Sequence, residues 1–233
     1  MSEQHPEEEV VRLSLNERLQ HLALLVCVLV LMITGLALRY ADTWLGQAVI
    51  TLEGGMAARG VLHRAASLGL LLLWVYHAGY VVFTRRGHDQ LMELMPGWQD
   101  LRDLGMVLRH NLGGGGESPR FGRFDFRQKF QYWAVALGVT AMVPTGFVLW
   151  FENQAMAALP KWVVDLARVV HSGEGLVIFL VLFIWHLYDT HLRPEVFPMD
   201  WSWLTGRITR KQWRERHPRD YEAATRKGEE QTP

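Results

Sequence analysis

Two apolar stretches of the chain each carry two histidines at nearly the same spacing. His171 and His186 lie fifteen residues apart, and His63 and His77 lie fourteen apart. On an α-helix, fifteen residues separate two side chains by about 22 Å along the axis and by only about 60° around it. Imidazole binds iron, copper and zinc, and a histidine in a membrane span usually marks a functional site. The spacing therefore predicts two metal centres at two depths, each completed by another helix.

Haem fits this spacing better than a compact zinc or copper site does. A compact site needs ligands within one or two turns, and these stretches contain no His-x-x-x-His pattern. A haem ring needs one imidazole on each face and fills the gap between two helices. Small residues near the histidines, such as Gly69 and Gly173, would let the ring approach the backbone. Haem iron with two histidine ligands carries electrons and does not bind oxygen.

The histidines belong to four apolar stretches that are long enough, with their flanks, to cross a bilayer. We predict helices at about residues 18–40, 61–84, 129–151 and 164–191. Six tryptophans beside these stretches are typical of a membrane interface. The first stretch follows an acidic leader and is expected to be retained rather than cleaved as a signal. The prediction is an all-α integral membrane four-helix bundle within residues 12–192, with amphipathic surface segments.

The first and third stretches repeat one another with a shift of 111 residues. The shift aligns Arg12 with Arg123, Arg18 with Lys129, Gln20 with Gln131, and Thr34-Gly35 with Thr145-Gly146. This repeat predicts two duplicated hairpins packed as one bundle. Under the repeat, the histidine pair of the second helix corresponds to the pair of the fourth. His21 aligns with Tyr132 and is left as an extra histidine.

The polar segments set the orientation. Counted outside the uncharged apolar cores of the four stretches, Lys and Arg number two before the first core, eight between the second and third, and nine after the fourth, against three and two in the other connections. The positive-inside rule then predicts a multi-pass protein of a bacterial-type inner membrane with both termini in the cytoplasm. His63 and His171 lie towards the outer side. His21, His77 and His186 lie towards the inner side.

Three polar regions flank the predicted helices. Residues 1–11 are acidic and expected to be mobile, and residues 85–128 form a cytoplasmic loop with a short amphipathic helix at 98–110. Residues 193–233 form a tail of basic and aromatic residues, which we expect to meet membrane lipid or a partner subunit rather than nucleic acid. The remaining histidines lie in polar stretches and are expected to be exposed: His5, His88, His110, His191 and His217.

Several motifs resemble the di-haem cytochrome b subunits of respiratory formate dehydrogenases and nickel-iron hydrogenases. The resemblance runs from about residue 12 to residue 221. It is most specific at Gln128-Lys129, residues 145–150, His171-Ser172, His186 to Tyr188, and residues 214–221. It implies two haem b groups, one held by His63 with His171 and the other by His21 with His186. The spacing between His171 and His186 on the fourth predicted helix is one residue longer than expected in the formate dehydrogenase subunits.

His77 opens a second pairing scheme. The segment from His63 to Gly79 resembles the second helix of the cytochrome b of quinol:cytochrome c reductases, which would pair His63 with His171 and His77 with His186. The internal repeat favours His77, and the overall family favours His21. The surplus histidine is left to bind a propionate or a quinone, or to serve a further haem.

The resemblance implies a quinone-reactive electron-transfer subunit without a catalytic site of its own. Such a subunit passes electrons between an iron-sulfur or multihaem partner on the outer face and quinone near the inner haem. Asp125 and Gln128 match the region of the quinone site, although Asp125 departs from the family's Asn and is equally suited to cap a helix. The alternatives are a histidine-lined proton or metal transporter, for which Glu174 is the only acid well inside a span, and a haem-free membrane anchor.

Overall fold

The computed structural model describes residues 8–115 and 119–230, of which residues 227–230 are described by their backbone alone. His5 lies outside the described residues. In chain order the elements are β1 (Glu9–Val11), α1 (Leu15–Arg39), α2 (Trp44–Leu52), α3 (Met56–Phe83), α4 (Arg85–Leu94), α5 (Trp98–Asn111), α6 (Phe126–Trp150), α7 (Glu152–Ala158), α8 (Lys161–Leu180), α9 (Ser202–Thr205), β2 (Arg207–Thr209), α10 (Arg210–Arg216) and α11 (Pro218–Glu230). Beyond Leu180, α8 continues as π-helix over Val181–His186 and Tyr188–Leu192.

Four helices are long and apolar enough to cross a membrane. They are Leu15–Arg39, Met56–Phe83, Phe126–Trp150 and Lys161–Leu192. Each ends within one residue of the end of one of the four predicted stretches, so the helical membrane fold predicted from the sequence is confirmed. Each helix also begins before its predicted residue, because polar and amphipathic flanks continue the helix beyond the apolar core. Pro144 lies inside α6 without ending it.

The chain divides into two compact units. One, which we call the helical unit, consists of Leu19–Tyr80 and Trp133–Asp189. The other, which we call the polar unit, takes in the described residues of Met1–Arg18, Val81–Tyr132 and Thr190–Pro233. The helical unit holds the five histidines singled out by the sequence. The polar unit joins three segments that are distant in sequence.

In the polar unit, the chain near its amino end is held by the tail. Strand β1 pairs antiparallel with β2, and Val10 lies opposite Ile208. The carbonyl of Gly206 accepts hydrogen bonds from the backbone of Arg12 and Leu13 at 2.8 and 3.1 Å. We expected residues 1–11 to be mobile, whereas residues 9–11 form a strand; residues 1–7 lie outside the described part. The cause is the partner strand, which supplies backbone hydrogen bonds that the local sequence does not reveal.

The loop between the second and third long helices contains two helices. Helix α5 coincides with the amphipathic helix predicted at 98–110. Helix α4 was not predicted; its first turn is capped by Thr84, whose hydroxyl accepts from the backbone N–H of Gly87 at 3.0 Å. In α5, Asp100 forms an ion pair with Lys129 at 3.0 Å. Both helices therefore belong to the polar unit.

His217 is a buried histidine of the polar unit and not an exposed one, so this expectation was wrong; His88 and His110 are exposed as expected. Only 8% of His217 is accessible, and its Nδ1 lies 2.8 Å from the carbonyl oxygen of Gly122. Burial, and then the nearby Arg12 guanidinium, lower the pKa of His217 to about 4. The folded protein therefore holds this imidazole neutral.

The stability of the polar unit should depend on His217 between pH 6.5 and 4. In this range the unfolded chain binds a proton at His217 that the folded chain does not, because its pKa falls from 6.5 to about 4 on folding. The free energy of unfolding should therefore fall as the pH is lowered, by up to about 3 kcal/mol, and level off for this group below pH 4. Amide hydrogen exchange of residues 119–125 and 207–221 measures it.

The matched control is His217→Gln, whose amide can still donate to the Gly122 carbonyl but does not titrate. This variant should show no comparable loss in the same range. Equal pH dependence in both proteins would contradict the assignment. The neighbouring acids Asp125 and Asp200 act at lower pH, because their pKa values lie below the ordinary 3.8.

Candidate metal centres

His63 and His171 face one another in the helical unit. His63 lies on α3 and His171 on α8, and their ring centroids are 6.3 Å apart with an interplanar angle of 66°. This is the pair that both pairing schemes predict. The structure brings together residues that are more than 100 positions apart in sequence, as expected for facing helices of two hairpins.

His21 and His186 form a second facing pair. His21 lies on α1 and His186 ends the first π-helical segment after α8, and their ring centroids are also 6.3 Å apart, at an interplanar angle of 45°. In sequence, His186 lies fifteen residues after His171, so the two pairs lie at different depths along the same helix. The geometry thus gives His186 a partner on α1.

The ring separation fits a metal ion bound between two imidazoles. A ring nitrogen binds a transition metal at about 2 Å and lies about 1.2 Å from the centre of its own ring, so two coaxial imidazoles on one ion have centroids roughly 6.4 Å apart. Both pairs, at 6.3 Å, agree with this estimate. Within the described residues there is no group of three or more His, Cys, Asp or Glu side chains suited to a metal ion. A haem ring would supply the four other ligands of an iron ion placed between two imidazoles.

Two threonines orient the imidazoles of the first pair. The hydroxyl oxygen of Thr34 lies 2.7 Å from His63 Nδ1 and 2.6 Å from the Val30 carbonyl. A hydroxyl has one hydrogen, and donating it to a carbonyl one turn back leaves the oxygen to accept from the ring N–H. The proton is then on Nδ1, and Nε2 is left with the lone pair that binds metal.

The same arrangement recurs in the second hairpin. The Thr145 hydroxyl oxygen lies 3.1 Å from His171 Nδ1 and 2.8 Å from the carbonyl of Ala141. Thr34 and Thr145 are the positions that the 111-residue repeat aligns. The repeated threonines therefore make the same contact, each with the Nδ1 of a histidine of the first facing pair. Sequence reasoning aligned these threonines but did not give them a role.

The glycine after each threonine leaves room for the imidazole. A Cβ atom at Gly146 would lie 3.1 Å from His171 Cε1, and one at Gly35 would lie 3.6 Å from His63 Cε1. By contrast, the space beside Gly69 is occupied by the Cys27 sulfur, at 3.1 Å from a Cβ there, and a Cβ at Gly173 would meet no heavy atom within 4 Å. The close approaches to the ligand rings thus lie at the repeated Thr-Gly pairs rather than at the glycines singled out by the sequence.

His77 forms a hydrogen bond with α1, the helix that carries His21. Its Nδ1 lies 2.8 Å from the side-chain oxygen of Gln20, and its ring stacks on Trp74 with centroids 6.3 Å apart. Gln20 immediately precedes His21. This environment orients the His77 ring and fits a supporting role better than membership of the 6.3 Å pair with His186.

The helix that carries His171 and His186 changes its turn between them. The α-helix changes to π-helix at Val181, five residues before His186. A π-turn closes with an i→i+5 hydrogen bond and so takes in one residue more than an α-turn; such segments are frequent at functional sites. The wider turn therefore changes the direction of His186 relative to a continuous α-helix.

Asp125 and Gln128 close the amino end of α6. Asp125 Oδ1 accepts from the backbone N–H groups of Arg127 and Gln128 at 3.0 and 2.9 Å, and Gln128 Oε1 accepts from the Asp125 N–H at 3.1 Å. Burial disfavours the charged form of Asp125, but the ion pair and hydrogen bond with Arg127 outweigh burial and hold its pKa below the ordinary value. The two side chains form a reciprocal helix cap.

Glu174 lies in a groove between α6 and α8. The groove encloses about 320 Å³ and is lined otherwise by apolar and small residues, among them Ala134, Gly138 and Ile178. A Cβ atom at Gly138 would lie 3.0 Å from Glu174 Oε1 and 2.9 Å from Ile178 Cδ1, so Gly138 allows the two helices to approach. The acid therefore lines the α6–α8 groove, separate from the two facing histidine pairs.

The sequence model of one family, described as prokaryotic cytochrome b561, matches residues 12–193. The curated relatives include the cytochrome b556 subunit of formate dehydrogenase from Haemophilus influenzae, 23% identical over 218 residues, which cover 91% of this chain and 82% of the relative. The cytochrome b556(fdo) subunit of formate dehydrogenase from Escherichia coli K12 is 23% identical over 217 residues, which cover 92% of each chain.

The family match and the four spans agree on a multi-pass cytochrome of a bacterial inner membrane that binds haem b and carries electrons. The paired histidines are suited to that cofactor, and the match covers well over half of the 233 residues. The chain therefore belongs to the prokaryotic cytochrome b561 family.

Proposed function

We propose that this chain is a di-haem b-type cytochrome that moves electrons across the membrane between a partner redox subunit and quinone, in a respiratory complex of the formate dehydrogenase kind. The observation that carries the proposal is that two pairs of imidazoles face one another at two depths of the helical unit, with ring centroids 6.3 Å apart in each pair. The curated relatives are named as cytochrome subunits of formate dehydrogenase, which supports the type of complex.

Each haem has two axial histidines in this proposal. His63 with His171 hold one, and His21 with His186 hold the other. Bound between two imidazoles, haem b supplies a one-electron carrier. The protein supplies the orientation: Thr34 and Thr145 keep Nδ1 of His63 and His171 protonated, so that Nε2 faces the iron. His77, anchored to Gln20, orients α1 next to His21 and is not an axial ligand.

The positive-inside distribution of Lys and Arg supports an orientation with both termini in the cytoplasm. In this orientation the His63–His171 centre is the outer one and the His21–His186 centre the inner one. The partner, an iron-sulfur or multihaem subunit, exchanges electrons at the outer centre. Quinone then reacts on the cytoplasmic side, where its proton exchange takes place.

Asp125 and Gln128 are candidates for the quinone site because they mark the cytoplasmic end of α6 in the proposed orientation. Their side chains already cap this helix, and Asp125 is paired with Arg127 at 2.7 Å. The contribution we propose for them is therefore to hold the helix end against which a quinone is bound. Asp125→Ala removes the cap, whereas Asp125→Asn retains the cap oxygen and is the conservative control for this role.

A proton transporter is the second candidate, and Glu174 is the observation that favours it. An acid inside a membrane span is a candidate for proton transfer. A transporter does not need iron between the histidine pairs, so the number of haems bound there separates it from the di-haem cytochrome.

The test is the haem and iron content of the purified protein. We expect two haem b groups and two iron atoms per chain, a reduced-minus-oxidised spectrum with a b-type α-band, and reduction of the haem by an added quinol. Absence of the α-band, or iron well below two per chain, would overturn the di-haem assignment. Full haem content without reduction by quinol would overturn the quinone assignment alone. Reduction slowed in Asp125→Ala but not in Asp125→Asn would support the α6 end as part of that site, and an unchanged rate in both would remove Asp125 from it.

A further inference from the structure

Arg59 lies near the His63–His171 pair and has one guanidinium nitrogen without a hydrogen-bond partner among the described residues. It lies four residues before His63 on α3, on the same face of the helix. Its Nη1 donates to the backbone carbonyl of Thr34 at 3.0 Å, and the hydroxyl of Thr34 is the group that orients His63. The Nε of Arg59 is buried and has no hydrogen-bond acceptor among the described residues. A buried donor of this kind is costly unless a ligand accepts from it.

Arg39 approaches the other ligand of the same centre. It ends α1, and its guanidinium donates to the side chain of Ser172 and to the Ser172 carbonyl, the latter at 3.3 Å. Ser172 directly follows His171. Two arginines of the first hairpin are thus joined, each through one residue, to the two imidazoles of one centre.

Neither arginine is neutralised by an acid in the described part of the chain. Arg39 and Arg59 form no ion pair with any described carboxylate, and the buried side-chain oxygens of Glu53 have no hydrogen-bond partner there. Arg168, three residues before His171 in the second hairpin, is different, because it pairs with Glu152 at 2.7 Å and with Asp165 at 3.4 Å. Uncompensated positive charge is therefore found on the α1–α3 side of this centre.

We propose that Arg59, together with Arg39, binds the propionate carboxylates of the haem held by His63 and His171, and that the propionate edge of this haem faces the α1–α3 hairpin. The inference rests on the proposed function, since it requires a haem at this pair. A haem carries two propionates, and a guanidinium is a preferred partner of a carboxylate. The positive charge also stabilises the reduced iron and raises the midpoint potential of this haem relative to an uncharged site.

The experiment measures the midpoint potential of the outer haem alone. In a His21→Ala background the inner haem is expected to be lost, so that a redox titration followed at the α-band reports one centre. Adding Arg59→Gln should shift this potential to a more negative value. Arg59→Lys keeps the charge and should leave the potential close to that of the His21→Ala protein. Arg168→Gln is the matched control on α8 and should cause no comparable shift, because its charge is already paired.

The outcomes separate this inference from the proposed function. Failure of the His21→Ala protein to retain a haem at the other pair would count against the proposed di-haem arrangement. A retained haem with the same potential in Arg59→Gln and in its parent would overturn the role of Arg59. If Arg59→Gln loses the haem, the Arg59→Lys variant decides the question. Retention of the haem by Arg59→Lys at the midpoint potential of the parent protein supports a charged contact with the propionate. Loss in both variants overturns it, because a propionate accepts a lysine as partner.

Discussion

Replacing either histidine of the fourth membrane-spanning helix, His171 or His186, by alanine is expected to remove one haem and leave the other. His171→Ala should lose the haem shared with His63, and His186→Ala the haem shared with His21, because each ring lies 6.3 Å from a single facing imidazole. Haem and iron should fall from two per chain to about one in each variant and to none in the double variant. Difference spectra of the purified proteins, normalised to protein concentration, measure the loss.

The control for this experiment is His110→Ala, which changes an exposed histidine of the polar unit. It should retain both haems. Retention of both haems in His171→Ala or His186→Ala would show that the replaced histidine is not a haem ligand. Equal loss in all three variants would indicate that the assay reports folding rather than ligation.

Separate replacement of His21 and His77 should give opposite results. His21→Ala is expected to lose the inner haem, because His21 faces His186. His77→Ala is expected to keep both haems, because the Nδ1 of His77 is bonded to Gln20 and its ring is stacked on Trp74. The measurement is again haem per chain, with the remaining midpoint potential recorded for each variant.

The reverse result would support the scheme suggested by the internal repeat, in which His77 and His186 share the inner haem. Retention of both haems in both variants would contradict either scheme. Gln20→Leu provides a further comparison, since it removes the hydrogen bond to His77 while leaving both histidines in place. We expect it to retain two haems.

Hydropathy was sufficient to predict the four spans, because burial in hydrocarbon requires long apolar helices whatever their tertiary contacts. The histidine spacing was sufficient to single out His63 and His171, which the structure brings together. It could not choose between His21 and His77. The repeat treats the two hairpins as equivalent, whereas the structure pairs His186 with a residue whose repeat counterpart is Tyr132.

Other features depend on contacts that a local pattern does not show. His217 lies in a run of charged residues and is nevertheless buried, because three distant segments meet around it in the polar unit. The order of residues 9–11 depends on a partner strand nearly 200 residues later. The roles of Thr34 and Thr145 became clear only from their distances to the imidazoles, although the repeat had already aligned the two positions.

The π-helical segment after Leu180 separates two properties of the helix that carries His171 and His186: the number of residues between the two histidines and the direction in which the second one points. A uniform α-helix would couple them. In a uniform helix, inserting one residue between two ligands rotates the second by about 100° and turns it away from its partner. A wider turn can absorb such an insertion locally, and the segment Val181–His186 consists of such turns. Ligand spacing in this part of the sequence can then change by one residue between related proteins while the second imidazole still meets its partner helix. Sequence alignments of this region should therefore admit a single-residue gap between the two ligands.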